Sequence, residues 1–254
     1  MSTRSLQIIG KARRRVDGRA KVTGETRFAD DLILPRMLHC RLLRSPLPHA
    51  RIVSIDASRA KSLPGVHLVL TGADMPTTFG ILPVSQDEHA LCLDKVRFVG
   101  DPVAAVVASS ELVAEEALAL IDVQYEPLQT IASPEEALAT HEPRIHDYGD
   151  SGNVHKAVAL SFGSVEQGFA EADHVFEDTF SYAGNTHLPL ETHAAVAALD
   201  PDGKLTIWSS TQTPHYVHRS IAKVLGLPPS RVRVIATPQG GGFGGKTDPF
   251  NHEI

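Results

Sequence analysis

The stretch with the clearest chemical potential in this 254-residue chain is Pro238-Gln239-Gly240-Gly241-Gly242-Phe243-Gly244-Gly245-Lys246-Thr247, entered from the alternating Arg231-Val232-Arg233-Val234-Ile235-Ala236. Glycine fills five of the six positions 240–245. That cost in backbone entropy suits a loop whose main chain must approach another group closely, and a ligand is the natural candidate. Read literally, Gly240, Gly245, Lys246 and Thr247 satisfy the phosphate-loop pattern. A phosphate loop feeds straight into a helix whose N-terminal amides hold the anion. Asp248 to Ile254 is too short for that helix and for an acidic metal-binding strand after it. Phe243 adds an aromatic wall that a phosphate cradle does not need. A cofactor or substrate loop therefore ranks ahead of a nucleotide hydrolase and of a plain glycine turn.

A second cluster is Asn185-Thr186-His187-Leu188-Pro189-Leu190-Glu191-Thr192-His193. His187, Glu191 and His193 could be read as a metal triad, but Pro189 prevents the helical spacing that such a site uses. The competing reading is a polar loop beside a buried site, with Glu191 as a structural hydrogen-bond acceptor. Cys40 and Cys92 are too few for an iron-sulfur motif and read as small core residues. His141 and His146 lack the companions of a zinc site, and His67 reads as a strand residue.

Composition limits the alternatives. An apolar fraction of 42% and a charged fraction of 21% fit a soluble globular protein, and a net charge of −6 gives no reason to expect nucleic acid. The basic run Lys11 to Arg15 reads as a solvated segment. No apolar stretch approaches a membrane span, so neither membrane nor leader is expected, and reduced thiols suit the cytoplasm.

The elements that must position these residues follow from periodicity. Residues up to about Thr26 read as extended, with turns at Asp17-Gly18 and Thr23-Gly24. Strands are expected at Met37 to Leu43, Arg51 to Asp56, Gly65 to Leu70, Val103 to Ala108 and Asp122 to Glu126, with helices at Ala57 to Leu63 and Glu111 to Ile121. The unbroken apolar run Val103 to Ala108 predicts a strand covered on both faces. Phe79-Gly80-Ile81-Leu82-Pro83-Val84 begins a loop. Pro134 to Asp150 reads as a surface connector. Beyond it come a short helix at Ser164 to Ala172, a half-buried strand at His174 to Tyr182, strands at Ala194 to Leu199 and Leu205 to Trp208 around the turn Pro201-Asp202-Gly203, and a helix at His215 to Leu225.

Several segments carry a resemblance. Asp17-Gly18 with Lys21-Val22-Thr23-Gly24, Phe28-Ala29-Asp30-Asp31, Leu43-Arg44-Ser45-Pro46, His49-Ala50-Arg51-Ile52, Asp94 to Ala104, Glu191-Thr192-His193-Ala194 and the glycine loop together resemble, in order, the large molybdopterin-binding subunit of xanthine oxidase-type molybdenum hydroxylases. The segments Phe79 to Pro83, Gly100-Asp101-Pro102 and Thr213 to His218 look most like the α subunit of hydroxybenzoyl-CoA reductase. The resemblance implies an α/β (α+β) fold: an a/b hammerhead-like domain over 14–130, a connector over 131–155, and the first, incomplete part of a molybdopterin-binding domain over 156–254.

It also implies function. The cofactor is expected to be a molybdenum-pterin dinucleotide, of the cytosine type, contacted by Gln212, Gly241, Gly242, Phe243, Gly244 and Gly245, with no protein ligand to the metal. Thr186, His187, Glu191 and Thr247 are the substrate-side candidates. Thr186 and Thr247 stand where the xanthine-type members carry Gln and Glu, which argues against a purine and for another aromatic or heteroaromatic substrate. The family's glutamate base is expected outside this chain, which would then be a truncated subunit or one product of a split gene and inactive alone. The remainder of the molybdenum subunit, a 2Fe-2S subunit and an FAD subunit are the implied partners. Water-derived hydroxylation is the first reading. Reductive dehydroxylation of a hydroxybenzoyl-CoA-like thioester and a non-catalytic assembly subunit are the alternatives.

Overall fold

The computed structural model describes residues 6–82, 85–147 and 152–254. Pro83-Val84 of the predicted loop, the end of the connector around Asp150, and the first five residues lie outside the described residues. Helix α1 spans Gly18–Thr23 and closes on Gly24, whose φ of 73° ends it in the left-handed region. The two expected turns are thus the boundaries of a helix, an outcome that six residues without an apolar stripe do not announce.

The first half of the chain builds two antiparallel sheets. Strands β1 (His39–Arg44), β2 (Ala50–Asp56) and β3 (Val66–Thr71) flank helix α2 (Ser58–Lys61), and β4 (Lys95–Val96), β5 (Pro102–Ala108) and β6 (Asp122–Pro127) complete the set, with α3 (Glu111–Leu118) between the last two. One sheet has the order β1-β5-β3 and the other β4-β2-β6. Strand β5 is central and buried at every position except the half-buried Val107, as its lack of alternation requires. Ala114 and Ala117 of α3 pack on Ala104, Val106 and Ala108 of β5, together with Ala57, Ala60 and Val69. Small residues on both sides let the helix lie close to the sheet. The Ser110 hydroxyl caps α3 by accepting from Val113 N–H.

Cys92 belongs to the second core with Ala50, Val96 and Val103. Cys40 does not share that environment: it lies exposed on β1, an edge strand with one face toward solvent. The expected connector contains a helix, α4 (Pro134–Ala139), capped by Ser133 with Pro134 in its first turn. It is also tied down. The Lys95 ammonium donates to Arg144 O at 2.9 Å and pairs with Asp147 at 2.8 Å, Arg97 Nε donates to Ile145 O at 3.0 Å, and His146 meets Asp87 at 2.8 Å. Lys95 holds the Asp147 carboxyl below its usual range.

After α5 (Val165–Glu171) the strand predicted at His174 to Tyr182 is not formed: these residues belong to no helix or strand. Phe176, Phe180 and Tyr182 are 86%, 90% and 83% exposed, so the half-burial expected from the sequence is absent as well. Limited proteolysis of the chain is therefore expected to cut first within 173–186, where the residues are exposed and form no helix or strand, rather than in the pinned 130–147. A first cut mapped by mass spectrometry to 130–147 would contradict the anchoring role given to Lys95 and Arg97.

Strands β7 (Ala195–Leu199) and β8 (Leu205–Ser209) form an antiparallel hairpin, and helix α6 (Pro214–Val224) crosses to β9 (Val232–Ala236), which lies parallel to β8. Val217, Ile221 and Ala222 of α6 pack on Ile207 and Val232. The parallel register pairs Ser209 with Ala236 at the carboxyl ends of both strands. Residues 210–213 and the glycine loop therefore leave the sheet side by side, at the end where open α/β sheets bind ligands.

Candidate functional site

The glycine loop is held between two segments. The 210–213 segment lies along its far end: Gln212 N–H donates to Lys246 O at 2.8 Å, and the Thr213 hydroxyl donates to Thr247 O at 2.5 Å. The Gln212 side-chain oxygen accepts from Gly244 N–H at 3.1 Å and Lys246 N–H at 3.3 Å. Gln239 Nε2 donates to Thr211 O at the near end. On the other side His187, Pro189 and Glu191, from an irregular stretch in which Leu188 has a φ of 38°, face the loop at Gly245, Gly241 and Gly240.

These contacts explain the glycines one by one. A Cβ at Gly240 would sit 2.7 Å from Glu191 Cβ, one at Gly242 would sit 2.6 Å from Gln212 Oε1, and one at Gly245 would sit 2.8 Å from His187 Cγ. Gly241 and Gly244 instead adopt φ of 112° and 87°, which only glycine takes without strain. Phe243 has φ of 53°, an unusual value for an aromatic residue, and its ring is 74% exposed and lies over Gly241.

The loop's amides divide sharply. Gly240 N–H donates to Glu191 Oε2, Gly244 N–H to Gln212, and Gly245 N–H to Gly242 O at 2.7 Å. The amides of Gly241, Gly242 and Phe243 have no protein acceptor among the described residues. Three consecutive donors are left between two fixed ends.

Lys246 is 1% exposed, and its ammonium donates to Glu191 Oε2 at 2.7 Å. A lysine turned inward onto a carboxylate is not free for a phosphate, and the residues after it form turns rather than a helix, so the phosphate-loop pattern has no structural counterpart here. Sequence reasoning treated Lys246 only through that pattern and missed the ion pair. The signal available was one lysine and one glutamate, each in a glycine- or proline-rich segment.

Thr186 and His187 are exposed at the rim, and the Thr247 hydroxyl donates to Gly244 O at 2.7 Å. Glu191 is turned into the loop, in the acceptor role that one of the two sequence readings gave it. The His187, Glu191 and His193 set does not converge as a metal site: no group of three or more ligating side chains comes together among the described residues. His193 packs instead against Phe250 at 4.6 Å and His252 at 5.1 Å between ring centroids. The segment after the loop is anchored by the Ser209 hydroxyl donating to Glu253 and by Asn251 Nδ2 donating to His89 O and Ala90 O at 3.0 and 2.8 Å.

Burial first, then the neighbouring His193, Arg44 and Lys246, lowers the His252 pKa to about 3. A folded pKa below the unfolded value near 6.5 favours the neutral ring, so its contribution to stability is complete above pH 6.5 and is lost as pH falls toward 3. Buried Glu253, whose pKa is raised, acts in the opposite sense and is common to parent and variant. His252→Phe is expected to retain the ring stack and to reduce the slope of stability against pH, measured by urea unfolding from about pH 7 to 4, by up to about one proton. An unchanged slope would contradict burial of a neutral imidazole.

Among the described residues no helix is long and apolar enough to cross a membrane. Residues 23–129 match the family of aldehyde oxidase and xanthine dehydrogenase a/b hammerhead domains, and residues 145–254 match that of molybdopterin cofactor-binding domains. The chain is 41% identical over 244 residues to a probable xanthine dehydrogenase subunit of Bacillus subtilis (strain 168), covering 95% of this chain and 32% of that protein. It is 43% identical over 244 residues to the nicotinate dehydrogenase large molybdopterin subunit of Eubacterium barkeri, covering 95% and 56%. The crystal structure of quinoline 2-oxidoreductase from Pseudomonas putida 86 superposes with a TM-score of 0.83 at 37% identity, over 94% of this chain and 32% of that one. The chain thus spans between a third and about half the length of these relatives.

Proposed function

We propose, for a chain that belongs to the xanthine oxidase and aldehyde oxidoreductase family of molybdopterin-binding proteins, that it is the cofactor-holding part of a molybdenum-dependent hydroxylase acting on a heteroaromatic ring. Its α+β fold is an N-terminal a/b hammerhead domain followed by part of a molybdopterin-binding domain. The observation that carries the functional reading is the run of three amides, Gly241 to Phe243, left without protein acceptors between the fixed ends of the loop. A molybdenum-pterin dinucleotide fits that donor set, because its oxygen-rich groups accept hydrogen bonds and the loop offers no competing side chain there.

When bound, the cofactor would supply the redox centre that accepts two electrons from the substrate as a water-derived oxygen replaces a ring hydrogen. The residues of this chain do the positioning. Gly241, Gly242 and Phe243 present their N–H groups, Gln212 fixes Gly244 and so sets where that run ends, and the Phe243 ring excludes water from one side. Preorganised donors of this kind stabilise developing negative charge without reorganising. Thr186 and His187 face the substrate side. The Thr247 hydroxyl is turned back to Gly244 O, so no carboxylate stands at this position to anchor a purine, and the relatives acting on nicotinate and quinoline favour a nitrogen heterocycle. The dehydrogenase names among the relatives favour oxidation over reductive dehydroxylation.

Partners follow from the uncovered surface. Val158, Leu160 and Phe162, and then Phe176, Phe180 and Tyr182, form two alternating stretches that are between 68% and 91% exposed. Such a surface fits coverage by the remainder of the molybdenum subunit, with 2Fe-2S and FAD subunits completing a cytoplasmic complex. Native mass spectrometry with metal and pterin analysis tests the reading. The expected result is a heteromer with molybdenum and pterin stoichiometric with this chain. A folded, stable complex without either would overturn it and favour a scaffolding subunit.

A further inference from the structure

Both ends of the glycine loop converge on one atom. Glu191 Oε2 accepts from Gly240 N–H at 2.8 Å and from the Lys246 ammonium at 2.7 Å, while Glu191 N–H donates to Gly240 O at 3.3 Å. The second carboxylate oxygen, Oε1, is buried without a partner among the described residues, so Oε2 carries both contacts. The side chains are 11% and 1% exposed, which removes most of the solvent that would otherwise screen the pair.

We infer that Glu191 and Lys246 are a positioning pair, a buried clasp that fixes the distance between the ends of the loop and thereby the direction of the Gly241 to Phe243 amides. The inference rests on the reading that those amides hold the pterin. Its physical basis is specificity rather than stability. Five glycines leave the loop with many accessible conformations, and a clasp between its first and last residues removes most of them. A buried ion pair is often no more stabilising than two apolar side chains of similar size, whereas losing one partner strands the other. Lysine suits the role because its ammonium is a compact charge that fits beside a carboxylate oxygen already bonded to an amide.

The test uses the native complex with three variants, Lys246→Met, Glu191→Gln, and the double variant Glu191→Met with Lys246→Met. The double variant leaves no stranded charge, so it is expected to fold and to melt close to the parent. Its amides at 240–246 should nevertheless exchange with deuterium about tenfold or more faster, while β7, β8 and β9 keep their protection. Its molybdenum and pterin per folded complex should fall at least about fivefold, since misdirected donors lose their acceptors. A double variant with the parent's exchange pattern or full cofactor content would overturn the inference and leave the pair a packing feature. Lys246→Met strands the Glu191 charge and is expected to lose cofactor at least as severely; full retention there would count against the clasp equally. Should the double variant fail to fold, Glu191→Gln decides, because it keeps the volume and an acceptor for Gly240 and removes only the charge. Cofactor loss in folded Glu191→Gln supports the clasp, and full retention refutes it. A parent complex without molybdenum or pterin would defeat the cofactor reading, and the exchange measurement would still judge the clasp.

Discussion

Folded complex carrying Gly242→Val is expected to hold less than about a tenth of the parent's molybdenum and pterin, with a stability loss of about 1–3 kcal/mol. Gly242 is buried and its φ lies outside the left-handed region, so backbone strain is not the cause. The added Cβ would stand 2.6 Å from Gln212 Oε1 and 2.8 Å from its Cδ. The Gln212 side chain can swing away, but doing so releases the amides of Gly244 and Lys246 that it now accepts from. The loop then loses its far staple and the free amide run loses its direction. Gly184→Val is the control: it has open space around its Cβ and no left-handed φ, so both cofactor content and stability should match the parent. Full molybdenum content in folded Gly242→Val would remove this position from the site.

The largest effect on folding is expected at Gly72→Ala, far from the loop in the chain. There the new Cβ would meet Cys92 O at 2.3 Å, Cys92 C at 2.7 Å and Leu93 Cα at 2.7 Å, all backbone atoms. Neither side can yield easily. Cys92 N–H donates to Pro102 O at 2.8 Å, which ties that segment to β5, and Gly72 opens a turn fixed by Asp74 accepting from Thr71 N–H at 2.8 Å. The variant is expected to lose about 2–4 kcal/mol and to melt about 5–10 °C lower, as measured by thermal unfolding of the complex. A shift below about 2 °C would mean that the two segments move apart more cheaply than their bonds suggest.

The glycine run at 240–245 announced a loop built for close approach, and the strand before it was legible from the alternation of Arg231 to Ala236, though not its parallel pairing with β8. What approaches closely was not legible: at Gly240, Gly242 and Gly245 it is first of all the protein's own Glu191, Gln212 and His187. Those contacts join residues far apart in the chain, and no local periodicity reports them. Strand β5 was readable because burial on both faces leaves an unbroken apolar run. The strand expected at His174 to Tyr182 had the right alternation, yet pairing needs a neighbour that no local pattern supplies. Helix α1 was missed for the opposite reason, since its hydrogen bonds are local but it buries no residue. Lys246 was the most misleading residue, because one pattern drew it toward a phosphate while burial turned it toward Glu191.

The functional reading stands on the amides of Gly241, Gly242 and Phe243 facing the pterin. Hydrogen exchange resolved to single amides, compared between cofactor-loaded and cofactor-stripped complex, tests it most directly. The account predicts that these three amides become strongly protected on loading, while Gly240 and Gly244, already bonded to Glu191 and Gln212, change little. Equal exchange at Gly241 to Phe243 in the two states, or protection confined to Gly240 and Gly244, would contradict it.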